Sequence, residues 1–129
     1  MSTTPSMSLP VVMFCHQTHY FAVEAAQVRR QTSVAPVSQE SVIAFADLLH
    51  GADHSDVDTR CTQWLELVGT TQHFWLGLHS PADLVELSQG DIYRLPITLQ
   101  TRRQLPALRA LAWYQDQLVS LLDARDLQR

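Results

Sequence analysis

The chain has 129 residues, 46% hydrophobic and 17% charged, with a formal net charge of −4. That length suits one domain able to bury a core without disulfides or a structural metal. Nine basic residues are too few for the basic stripe that nucleic acid or an anionic membrane surface requires.

The Ser/Thr/Pro-rich start, Met1 to Pro10, reads as a disordered tail. Val11 to Cys15, "VVMFC", is a short apolar run expected to form a buried strand. "HQTH" follows, then the aromatic and branched run Tyr20 to Val23, which together outline a β-hairpin. "EAAQVRRQTSVAPV" carries the chain to a break at Pro36. Ser38 to Gly51 supports two readings. Val42, Phe45, Ala46 and Leu49 have helical spacing, with Ser38 as N-cap and Gly51 at C′, yet "VIAFA" alone would serve as a buried strand ending at Asp47.

"ADHSDVDTR" is a polar loop. Trp64 to Val68, "GTTQ", and His73 to Leu78 repeat the strand–turn–strand outline. "SPADLVELSQGDIYRLP" reads as a connector. "LPALRALAWY" leads to a turn at Gln115–Gln117, then to the strand Leu118 to Asp123 and a short terminal helix capped by Asp123. The halves repeat weakly: His19 to Val23 aligns with His73 to Gly77, and "VIAFAD" (Val42 to Asp47) with "LVSLLD" (Leu118 to Asp123). The second half is longer between its hairpin and its Asp, so the first half lacks something that the second has.

No constellation for chemistry emerges. His16 and His19 are three apart, but no further ligand sits at a zinc-site spacing, and both read as solvated turn residues. His50 and His54 flank a helix end, and His73 and His79 span a strand. Asp53, Asp56 and Asp58 crowd one loop, yet Trp64 stands where an EF-hand needs its Glu. There is no nucleophile elbow, dinucleotide fingerprint or P-loop, and Cys15 and Cys61 read as buried thiols. Neither cofactor, metal nor catalytic activity is expected. With one cysteine pair, no leader and no apolar run long enough to span a bilayer, the expected location is the cytoplasm and no membrane insertion is expected. Of the aromatics, Phe74, Trp75, Trp113 and Tyr114 are expected mostly in the core, although "LAWYQDQLV" could expose one on a sheet face as an interface anchor.

The order of features resembles the CheW-like domain of bacterial chemotaxis. The resemblance rests on Phe21-Ala22-Val23 followed by Val28-Arg29-Arg30, on Trp64 to Val68 with Gly77-Leu78, on Leu95-Pro96, and on Leu108 to Ala112 followed by "LVSLLD". It runs from Val11 to the C-terminus. The family's Gly-x-Asn-x-Arg-Gly hairpin is absent between Pro36 and Val42. Ala110 stands where Gly is usual, Gln117 replaces the turn Gly, and Pro81 replaces an Asp.

The resemblance implies an all-β fold with short helices: two small SH3-like β-barrels side by side, the first, 11–60, truncated, and the second, 61–129, sending its C-terminal segment back onto the first. It implies a non-catalytic adaptor bridging chemoreceptors and a CheA-type histidine kinase, with Arg29, Arg30 and Val34 as expected partner-binding residues. The open edge left by the missing hairpin further suggests either a homodimer through the first barrel or loss of ordinary receptor binding. The competing readings are a small His-based metal-dependent enzyme and a self-associating structural module.

Overall fold

The structure is a computed structural model describing residues 7–36, 42–50, 61–70, 72–96 and 106–127. The first hairpin joins β1 (Ser8–His16) to β2 (His19–Glu24) in a register that sets His16 opposite His19. Its two turn residues, Gln17 and Thr18, both have positive φ, 49° and 68°. Two such residues define the type I′ turn, whose twist matches the flanking strands. The second such hairpin joins β9 (Leu108–Tyr114) to β10 (Gln117–Leu122) through Gln115 and Asp116, also at positive φ.

Among the described residues, ten strands form two sheets. One has six strands in the order β7-β1-β2-β10-β9-β8, with β7 at Asp83–Ser88 and β8 at Ile92–Arg94. The other has four, β3-β5-β6-β4: β3 is Val28–Thr32, β4 Val42–Ala44, β5 Gln63–Val68 and β6 His73–Leu78. Each sheet takes strands from both halves of the chain. The three-residue 3-10 turn Ala25–Gln27 carries β2 of the larger sheet into β3 of the smaller. A second, Gln89–Asp91, joins β7 to β8, the two end strands of the six-stranded sheet. Because only three residues separate those ends, the sheet must curl into a barrel.

Along β1 and β2 both faces of the curled sheet are packed. Val11, Ala22, Leu87, Ala110, Ala112, Val119 and Leu121 fill its interior. The alternate residues, Val12, Phe14, Phe21 and Val23, face Leu65, Leu67, Phe74 and Leu76 of the four-stranded sheet. This period-two division explains why "VVMFC" reads as a continuous apolar run rather than an alternating one: each residue faces one core or the other.

The ambiguous "VIAFAD" segment satisfies both readings in part. Val42 to Ala44 is a strand parallel to β6, and Phe45 to His50 is a single short helix, α1. The switch swings Phe45 onto Phe14 and Phe21, at ring separations of 4.9 and 4.8 Å, leaving it 1% exposed. The proposed cap Ser38 lies outside the described residues, as do Gly51 and the aspartate-rich loop. The internal repeat is realised as an exchange. β10 pairs in parallel with β2, and β4 pairs in parallel with β6, so each aromatic strand takes the closing strand of the other half.

Three expectations need correction. β1 starts at Ser8, not Val11, because Ser8, Leu9 and Pro10 pair with Ser88, Leu87 and Glu86 of β7; residues 1–6 lie outside the described set. The "connector" around "ADLVELSQGDIYR" is two strands with a 3-10 turn between them, and "VRRQT" is a third strand missed. All three are edge strands with one face in solvent, so polar residues interrupt the apolar signal that identifies a buried strand.

Candidate functional site

Arg29 and Arg30 lie on β3, where a bulge sets them side by side. Val28 pairs with Leu67, but Arg30 pairs with the next residue, Glu66, so Arg29 is the extra residue. A bulge rotates its strand locally, and both guanidinium groups reach Glu66, at 3.8 Å for Arg29 and 3.2 Å for Arg30. Arg30 also lies 5.0 Å from the Trp75 ring centre, within cation–π range. Nη1 of Arg29 is 3.2 Å from both ring nitrogens of His73, a geometry that sets it over the ring. Arg30 thus covers Trp75, which is 4% exposed. Both arginines contribute to the outer surface of the smaller sheet, and part of each is engaged within the chain. Val34 follows β3 and is 73% exposed. Thr32 Oγ1 accepts a hydrogen bond from its backbone N–H.

His16 departs from the solvated reading. It is 5% exposed, against the edge of Phe45 and 5.1 Å, ring to ring, from His79. The tight turn leaves only His19 in solvent; its Nδ1 is 3.0 Å from the Gln17 carbonyl oxygen. Nε2 of His79 is buried with no hydrogen-bond partner among the described residues. No group of three or more His, Cys, Asp or Glu side chains among the described residues could hold a metal.

The closing "LLD" motif forms a clamp. Asp123 accepts from the backbone N–H and the guanidinium of Arg125, and from Gln27 Nε2 at 3.0 Å. Gln27 Oε1 in turn accepts from the Ala124 N–H at 2.9 Å. The Arg125 guanidinium, more than any other partner, holds the Asp123 carboxyl well below the usual carboxylate range. Asp123 thus caps the terminal 3-10 turn, as its position in the sequence suggests, and Gln27 ties that turn to the start of β3.

One apolar face is left in solvent. Trp113 and Leu118 are cross-strand partners on β9 and β10, each 48% exposed, and Tyr93 of β8 pairs with Leu111 beside them. They occupy the outward positions opposite Ala110, Ala112 and Val119. The sequence places Trp113 in a strand, but which face it takes depends on the register, which the turn at Gln115 and Asp116 fixes.

No family model matches this sequence, and no curated protein does. Among solved structures, the fold is similar to that of the scaffolding protein TtCheW from Thermoanaerobacter tengcongensis, with a TM-score of 0.70. The match covers 94% of this chain and 92% of that one, at 12% sequence identity. The fold is CheW-like.

Proposed function

We propose that this protein is a non-catalytic adaptor in chemotaxis-type signalling, working in the cytoplasm and bridging chemoreceptors and a CheA-type histidine kinase. The observation that carries the reading is the likeness to a scaffolding protein over nearly the whole of both chains. The exposed face of Tyr93, Trp113 and Leu118 supports it, since aromatic anchors are enriched in protein interfaces. Arg29, Arg30 and Val34 provide a second surface on the smaller sheet. No described helix is long and apolar enough to cross a membrane.

Calorimetry against the regulatory domain of a CheA-type kinase from the same cell tests the reading. Binding is expected in the micromolar range, usual for a signalling contact of modest area. Trp113→Ala should abolish it if the second half carries the contact, and paired Arg29→Ala and Val34→Ser changes if the first half does. No heat with any kinase or receptor fragment from that cell overturns the adaptor reading.

A second reading, a homodimer through the first half, is favoured by β4. Its counterpart β10 has a strand on each side, β2 and β9, whereas among the described residues β4 is the end strand of its sheet and Val42 is 44% exposed. Edge strands recruit other strands, and an edge lysine blocks this. Val42→Lys should therefore convert a dimer to a monomer in sedimentation. A wild-type chain that is monomeric at every concentration removes this reading.

A further inference from the structure

The inward positions of the curled six-stranded sheet change character at one end. Along β2 they run Tyr20, Ala22, Glu24, and along β8 Ile92, Arg94, by their pairing with Ala112 and Ala110. Two charges of opposite sign therefore end rows of apolar side chains. The barrel is thinly filled beside them because Ala22, Ala110 and Ala112 supply little volume. A cavity of about 470 Å³ opens there, floored by Leu9, Ile92, Ala110 and Leu121. A second, of about 410 Å³, shares Leu9, Glu24, Ile92 and Arg94 and extends towards Met7. Mouths of small barrels are favoured ligand sites.

The charges at this mouth are unevenly committed. Arg109 is held by Asp126 and Asp123, and Arg125 chelates Asp123. Arg94 and Glu24 line the same cavity, and neither side chain forms a close ion pair or hydrogen bond among the described residues, although Glu24 acts on Arg125 through space. Three of the chain's nine basic residues, all arginines, converge on this mouth in a protein of net charge −4. Arginine suits a carboxylate, which it can grip with two parallel N–H donors.

We propose that the barrel mouth binds a small zwitterion with an apolar side chain, an apolar α-amino acid or a short peptide of such residues. The carboxylate meets Arg94 on the arginine-rich wall, the ammonium meets Glu24, and the side chain enters the barrel over Leu9, Ile92 and Ala110. This site is independent of the adaptor reading and of the exposed Trp113 face.

The test is a titration of the full chain, followed by NMR or calorimetry, with leucine, leucyl-leucine, leucinamide and N-acetyl-leucine. Leucine or leucyl-leucine should bind, and the tighter of the two identifies a free amino acid or a peptide as the source. Leucinamide, which lacks the carboxylate, and N-acetyl-leucine, which lacks the ammonium, should each bind at least tenfold more weakly. Arg94→Gln should erase the preference over leucinamide, and Glu24→Gln the preference over N-acetyl-leucine. Both positions are exposed, so the melting temperature should hold. Ala110→Leu, which fills the mouth, should abolish binding. The proposal is overturned if neither zwitterion binds, if the blocked analogues bind equally well, or if Arg94→Gln and Glu24→Gln leave the preferences unchanged.

Discussion

Asp123 is the residue on which the closing motif turns. Its side chain is 12% exposed and accepts from Arg125 and Gln27, so truncation strips several donors at once. Asp123→Ala should lower stability by about 1–3 kcal/mol, the range for losing a charge-assisted hydrogen bond in a part-buried setting. The pH dependence follows from its depressed folded-state pKa. The stabilisation is complete above the unfolded value near 3.9 and fades as pH falls below it. Acid unfolding curves of wild type and Asp123→Ala should therefore draw together as pH falls below about 4 and meet only well below the usual carboxylate range, where the folded-state carboxyl is itself protonated; a gap that stays constant from neutral pH down to about pH 2 would show that the carboxylate's charge contributes nothing. Gly77 makes a different demand. A Cβ there would collide with Sγ of Cys61 and come within 3.2 Å of its Cβ. Gly77→Ala should cost about 1–3 kcal/mol by overpacking, and adding Cys61→Ala should recover part of that in urea unfolding. If Cys61→Ala recovers nothing, the cost lies in the β6 backbone.

At the scale of elements, both tight hairpins carry residues poorly suited to their turns. Gln17 and the β-branched Thr18 sit at φ 49° and 68°, and Gln115 sits at φ 49° beside Asp116 at 64°. L-residues in this region cost roughly 1–2 kcal/mol unless they are Gly, Asn or Asp. Replacing Gln17-Thr18 by Asn-Gly should raise stability by about 1 kcal/mol, seen as a higher melting temperature. The same change at Gln115-Asp116 should gain less, because Asp tolerates this conformation better than Thr. Equal gains at the two hairpins would mean that turn chemistry does not limit either. The exchanged parallel pairs, β2 with β10 and β4 with β6, have the opposite property: no local sequence forms them, so they require the whole chain. Phe45 locks one such exchange, and Phe45→Ala should cost about 3–5 kcal/mol because nothing nearby can fill its place between Phe14 and Phe21.

For the molecule as a whole, protein purified without a His-tag should carry no stoichiometric transition metal and should melt at the same temperature with and without chelator. A tightly held metal would shift that temperature by mass action, and one zinc per chain by elemental analysis would revive the metal-enzyme reading. The sequence by itself determined the hairpin "HQTH", the strands "WLELV", "HFWLGL" and "LVSLLD", and the Asp123 cap, because alternation, apolar runs and turn residues are local signals. The order of those elements also pointed to the CheW-like fold. Only the tertiary structure decided the rest. It made strands of "VRRQT", "DLVELS" and "IYR", whose exposed polar faces hide them from pattern reading. It buried His16, whose fate depends on Phe45 arriving from a distant segment. It brought Arg94, Arg109 and Arg125 to one cavity with Glu24, residues far apart in sequence that share only the end of a curled sheet. Such groupings follow from which strand exchanges with which, a choice made by burying two apolar faces at once rather than by any local propensity.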